Sequence, residues 1–148
     1  MSPSGPAKTT PNSLSKLLRG MRGKKVILYF YPKDNTPGCT LEGQEFNQLY
    51  GEFKKAHAEV FGVSRDSVKS HEAFRCKFNF KFELLSDTEE ELCKYFDVIK
   101  EKNMYGKKVL GIERSTFILD ERGKLIAEFR KIKAPGHAQE ILNYIKSL

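Results

Sequence analysis

The chain has 148 residues, with 26 Lys and Arg against 19 Asp and Glu, a formal charge of +7. That length predicts one domain able to bury a core unaided. Eleven Phe and six Tyr exclude a disordered chain, and three Cys are too few for a disulfide-stapled secreted module. No apolar run approaches the ~20 residues of a membrane-spanning helix, so a membrane is not expected among its partners. The charge is unevenly placed. Residues 1–25 hold six basic groups (Lys8, Lys16, Arg19, Arg22, Lys24, Lys25) and no acid, which leaves 20 basic and 19 acidic groups elsewhere. A nucleic-acid-binding body shows clustered positive charge; this one is near neutral, so no nucleic-acid partner is expected.

Pro3, Pro6 and Pro11 stand among Ser, Thr, Gly and Lys, which reads as a flexible tail over residues 1–12 and one domain over 13–148. The tail lacks the apolar stretch of a secretory signal, and the expected setting is the cytoplasm, where thiols stay reduced. Val26 to Tyr31 is a continuous β-branched and aromatic run, a strand buried on both faces. Pro32 to Cys39 is a loop with two prolines and a glycine.

A helix is predicted from Leu41 to Ala56, since Phe46, Leu49, Tyr50 and Phe53 recur at three- and four-residue spacing. Strands follow over Glu59–Ser64 and Phe82–Leu85, separated by a helix capped by Asp66 or Ser67 and reaching Phe78. Asp87, with Glu90 as capping-box partner, opens a short helix. Lys100 to Lys108 reads as a loop. Two strands, Ser115–Leu119 and Lys124–Arg130, flank the turn Asp120-Glu121-Arg122-Gly123, and a last helix runs from Pro135-Gly136 towards Leu148. The order β-α-β-α-β-α-β-β-α predicts an α/β fold with a mixed central sheet flanked by helices, a thioredoxin-like arrangement.

Cys39 lies where a central strand turns into a helix. Unpaired N–H groups at a helix start carry partial positive charge and favour a thiolate there. Pro32 and Pro37 stiffen the loop, Thr36 offers a hydroxyl three residues away, and Arg114 opens a strand that a mixed sheet can bring alongside. Of the other cysteines, Cys76 is two residues from both Phe74 and Phe78 and is expected to face outward between Arg75 and Lys77. Cys93, beside Leu92 and three residues before Phe96, reads as a small core thiol. Glu42 either orients Arg114 or is a solvated helix-start carboxylate. His57, His71 and His137 show no ligand spacing and are expected at the surface. Asn103, Met104 and Tyr105 are expected in a solvated loop, with the border of a substrate entrance as the alternative.

The segment Phe30-Tyr31-Pro32-Lys33-Asp34-Asn35-Thr36-Pro37-Gly38-Cys39-Thr40 resembles the peroxiredoxins, in the version of the peroxiredoxin Q (bacterioferritin comigratory protein) subfamily. Gly111-Ile112-Glu113-Arg114-Ser115-Thr116-Phe117 resembles that subfamily's arginine strand. The resemblance implies a thioredoxin-like fold and a peroxidase acting in antioxidant defence on hydrogen peroxide and organic hydroperoxides. In that reading Cys39 is the peroxidatic nucleophile, Thr36, Arg114 and the Cys39 N–H stabilise the transition state, and Pro32 shields the sulfenic acid. No metal, haem or flavin cofactor is implied. Many members carry the resolving cysteine five residues on, but Gln44 stands there. Cys76 and Cys93 remain, and a subset with the resolving cysteine on the second helix favours Cys76. The resemblance also implies an intramolecular Cys39–Cys76 disulfide, thioredoxin or glutaredoxin as reductant, and a monomer. A disulfide needs Cα atoms within ~7 Å, so cysteines on two separate helices are expected to bridge only with local unwinding around both. Relatives usually begin with an extra strand, so the first hairpin is in question here. A thiol–disulfide oxidoreductase is the alternative, although Thr36-Pro37-Gly38-Cys39 has threonine where that class needs a second thiol.

Overall fold

A computed structural model describes residues 10–148. Most of the expected amino-terminal tail, residues 1–9, lies outside the described residues. Asn12, placed by the sequence in the tail, already begins helix α1 (Asn12–Gly20). Leu14, Leu17 and Leu18 fall at helical spacing on one side of α1 and pack into the protein. Among the described residues no strand precedes β1 (Lys25–Phe30).

Next come α2 (Pro37–Gln48), α3 (Tyr50–Lys55), β2 (Ala58–Ser64), α4 (Val68–Phe78), β3 (Glu83–Ser86) and α5 (Glu91–Tyr95). The chain finishes with β4 (Ile99–Met104), β5 (Lys107–Ile112), β6 (Ser115–Leu119), β7 (Leu125–Phe129) and α6 (His137–Lys146). Five strands form one mixed sheet in the order β3-β2-β1-β6-β7. β1 runs parallel to β2 and antiparallel to β6, with Phe30 opposite Ser115.

The apolar run of β1 is continuous because both sides of this central strand are covered. Ile27 and Tyr29, with Tyr31 just beyond the strand, enter a core shared with Phe46 of α2, Phe53 of α3, Phe74 of α4 and Ile141 of α6. Val26, Leu28 and Phe30 enter the opposite core with Leu14 of α1, Leu92 of α5 and Phe117 of β6. Gly62 of β2 sits across from Tyr29, and a Cβ there meets the Tyr29 ring and hydroxyl at 2.9 Å. Only glycine lets the tyrosine lie flat over the neighbouring strand.

Three local expectations need correction. The single helix over Leu41–Ala56 is two helices, broken at Leu49 (φ −95°, ψ 3°), with the poor helix former Gly51 just beyond. The segment Lys100 to Lys108 is not a loop but an antiparallel hairpin of β4 and β5, a separate two-stranded sheet. It closes on Tyr105 and Gly106, both at positive φ (54° and 81°), as a tight two-residue hairpin requires. Its lysines mask the alternation that marks a strand. Finally, the Asp87–Glu90 capping box does not form. Asp87 alone caps α5, accepting from the Leu92 and Cys93 N–H groups at 3.0 and 2.8 Å, while Glu90 turns away to Arg65.

Candidate active site

The loop after β1 ends at Thr36, the N-cap of α2, and Pro37 takes the first helical position, where a missing N–H costs nothing. The helix begins four residues before the expected Leu41, so Cys39 lies inside its first turn. Thr36 makes no side-chain cap. The N–H groups of Gly38 and Cys39 thus keep the partial positive charge of a helix start beside the sulfur. Cys39 is 2% exposed.

Arg114 reaches the same point from the start of β6, the strand beside β1. Because Ser115 pairs with Phe30, the residue before Ser115 lies beside the chain leading into the Pro32–Cys39 loop. Its guanidinium is shared: Nη2 lies 3.5 Å from Cys39 Sγ, and Nη1 donates to Glu42 Oε1 at 2.6 Å. Gly38 makes room for it, since a Cβ there meets Arg114 Nη2 at 3.1 Å. Glu42 is fully buried, not a solvated carboxylate, and sits one turn beyond Cys39 on the same face of α2.

Burial pushes the Glu42 carboxyl up to about 7 against the pull of Arg114. Its second oxygen, Oε2, has no hydrogen-bond partner among the described residues. A carboxyl raised in the folded state stabilises the fold at low pH and loses that contribution as pH climbs through its unfolded value towards 7. Glu42→Gln is therefore expected to match or trail wild type in urea unfolding near pH 4.5 and to gain on it by about 1–3 kcal/mol near pH 7.5. A difference between the two proteins that stays constant with pH sinks this reading.

The Thr36 hydroxyl donates to the Lys33 carbonyl at 2.8 Å, which leaves its oxygen free to accept. Pro32 is half-buried at the start of the loop. The β4–β5 hairpin adds Lys102, whose Nζ donates to the Ile112 carbonyl at 2.6 Å, two residues before Arg114. Burial and then the Arg114 charge pull the Lys102 ammonium below the ordinary lysine range. Nothing in the lysine-rich sequence distinguishes Lys102 from its neighbours.

All three cysteines are free. Cys76 is exposed on α4, as the spacing of Phe74 and Phe78 predicts, and Cys93 is fully buried. Burial, then the hydrogen bond and charge of Asp87, push the Cys93 thiol far up, so it holds its proton and is a poor nucleophile.

Two histidines expected at the surface are buried. His71 faces the core from α4, three residues before Phe74 on the same helix face. His137 opens the buried face of α6 and pairs with Thr116 Oγ1 at 2.7 Å and Glu140 at 3.0 Å. Helical spacing from Phe74 and Ile141 is the signal that marks them as inward-facing. His57 is exposed.

The AhpC/TSA family matches residues 6–128 of the chain. Peroxiredoxin Bcp of Xanthomonas campestris pv. campestris is 58% identical over 130 residues, 88% of this chain and 81% of its own length. Peroxiredoxin Bcp of Bacillus subtilis is 46% identical over 131 residues, 88% of this chain and 83% of its own. Among solved structures, the X. campestris bacterioferritin comigratory protein, studied as trapped intermediate and ligand complexes for its alkyl peroxide reduction activity, superposes with a TM-score of 0.83 at 56% identity. That match covers 87% of this chain and 82% of the other. Among the described residues no helix is long and apolar enough to cross a membrane. With the thioredoxin-like fold, the helix-start thiol and its arginine already in place, these relatives put the chain in the AhpC/TSA family, in its peroxiredoxin Q branch, and make it a thiol peroxidase.

Proposed function

We propose that Cys39 is the peroxidatic cysteine and Cys76 the resolving one. The observation that carries the first assignment is the Arg114 guanidinium 3.5 Å from the sulfur of a thiol seated in a helix start. The Cys39 thiolate attacks the nearer peroxide oxygen; the O–O bond breaks, and the departing alkoxide or hydroxide takes a proton and leaves as alcohol or water. Negative charge spreads over sulfur and two oxygens in the transition state, and Arg114 and the Cys39 N–H are the donors that stabilise it. Thr36 Oγ1, whose own hydrogen is donated to the Lys33 carbonyl, accepts the hydrogen of the peroxide and orients it. Pro32 limits water at the resulting sulfenic acid.

The Cys76 thiolate then attacks the Cys39 sulfur, and the sulfenic oxygen leaves as water, so two thiols and one peroxide give one disulfide. Cys39 is buried and Cys76 faces solvent, so the bridge needs local unwinding of α2 and α4. Thioredoxin, or glutaredoxin in its place, returns both thiols by exchange at the exposed Cys76 sulfur. The substrates are hydrogen peroxide and small organic hydroperoxides, the enzyme acts as a monomer, and a cytoplasmic setting suits three unbridged thiols.

The assignment is checked by treating the reduced protein with one equivalent of hydrogen peroxide and mapping its peptides. The expected product joins the peptides of Cys39 and Cys76 and leaves Cys93 open to alkylation. A Cys39–Cys93 pair overturns the assignment of Cys76.

A further inference from the structure

Outside the catalytic group, one buried cluster ties the Cys39 loop to the helix that carries Cys76. The Asp34 carboxylate, in the loop between Pro32 and Cys39, accepts from Tyr31 Oη at 2.6 Å, from Ser70 Oγ at 2.8 Å and from His71 Nδ1 at 2.7 Å. Ser70 and His71 belong to α4, and His71 is 4% exposed. The Asp34 N–H donates to Asp66, which also accepts from Ser64 Oγ.

His71 bridges two acceptors: Nε2 lies 3.0 Å from the Leu85 carbonyl and Nδ1 2.7 Å from the Asp34 carboxylate. Burial alone raises the Asp34 carboxyl, but the hydrogen bonds from His71, Tyr31 and Ser70 outweigh it and hold the group below the ordinary aspartate range. Asp34, Asp66 and His71 offer ligand atoms within 4.8 Å of one another, the one such grouping among the described residues. They are spent on these hydrogen bonds, which gives the cluster a mechanical reading and not a metal-binding one.

The buried clamp grips the first half of α4; the second half meets the same loop only through an exposed hydrogen bond from Lys77 Nζ to Asn35 Oδ1 at 3.3 Å. Cys76 lies five residues beyond His71, in the half held by Phe78 against Phe80 and ended by Asn79 in the left-handed conformation (φ 55°). On the Cys39–Cys76 reading above, we propose that His71 is a positioning residue for the resolving step: through Asp34 it clamps the peroxidatic loop to α4 and sets how long the Cys39 sulfenic acid survives before Cys76 reaches it. The chemistry is unchanged. Cys39 sulfenic acid and Cys76 thiol give a disulfide and water, and the clamp decides only how often the two segments part.

The test uses the full chain with His71→Gln, whose single amide cannot span both acceptors as the imidazole ring does, and with Ser70→Ala, which removes one bond and leaves the fold intact. Reduced protein is mixed with one equivalent of hydrogen peroxide, quenched at intervals and weighed intact. Peroxide consumption is expected to stay within about threefold of wild type. The sulfenic acid is expected to decay about tenfold faster in His71→Gln and about threefold faster in Ser70→Ala, as loss of a hydrogen bond to a charged partner implies. The peroxide dose that converts Cys39 to sulfinic acid is expected to rise in the same order. Sulfenic acid lifetimes at or above wild type in both variants, or equal falls in both steps, overturn the clamp. A wild-type protein that forms no Cys39–Cys76 bridge instead overturns the resolving assignment on which it rests.

Discussion

Cys76→Ser protein is expected to consume one equivalent of hydrogen peroxide and then stop, whereas Cys39→Ser protein consumes none. The first step needs only the buried thiol and the donors around it, all of which Cys76→Ser retains. The Cys39 sulfenic acid then has no thiol to condense with, and thioredoxin turnover followed through NADPH falls to the background rate. Further peroxide drives the stalled sulfur to sulfinic acid. Serine at position 39 keeps the shape but loses the nucleophile, because a hydroxyl is a far weaker nucleophile than a thiol. Cys93→Ala is expected to turn over like wild type, since the Cys93 thiol is fully buried and holds its proton. Steady turnover by Cys76→Ser, or a stall in Cys93→Ala, defeats this division of roles.

The contrast between Cys76 and Cys93 is legible in the sequence, because helical geometry near Phe74, Phe78 and Phe96 already sorts an outward thiol from an inward one. The strands of the main sheet are legible for a similar reason: a run such as Val26 to Tyr31 has no alternative to burial on both faces. The β4–β5 hairpin escapes such a reading because pairing with each other, and not burial, holds most of its residues in place. Six of its twelve strand residues are Lys, Glu or Asn, and Met104, Val109 and Leu110 are exposed. His71 and Asp34 escape for another reason. Their roles come from a contact across 37 positions that no local spacing encodes. Glu42 stands between the two cases: its spacing from Cys39 places it on the right face, but only the strand register that delivers Arg114 shows that this face is closed to water.

Replacing Arg114 with methionine is expected to slow the reaction of Cys39 with hydrogen peroxide by about 10²–10³-fold, the usual effect of losing one preorganised donor to a developing charge. The guanidinium makes two contacts at once, Nη2 to Cys39 Sγ and Nη1 to Glu42 Oε1. Its loss removes the cation beside the Cys39 sulfur and also the partner of a fully buried carboxyl group. Stripping one member from a buried ion pair commonly costs about 3–5 kcal/mol. Here the cost is expected to be smaller, because a carboxyl already pushed up to about 7 escapes by taking a proton. The rate loss should therefore far exceed the loss of stability, measured as single-turnover peroxide consumption against urea unfolding at pH 7. Arg114→Lys separates charge from geometry. A lysine ammonium keeps the charge but cannot hold sulfur and carboxylate with two parallel arms, so this variant is expected to recover only part of the rate. Adding Glu42→Gln to Arg114→Met is expected to cost little more in rate, because Glu42 acts on Cys39 through the arginine. Wild-type speed in Arg114→Lys would make the fork geometry irrelevant, and additive losses in the double variant would give Glu42 a role of its own at the sulfur.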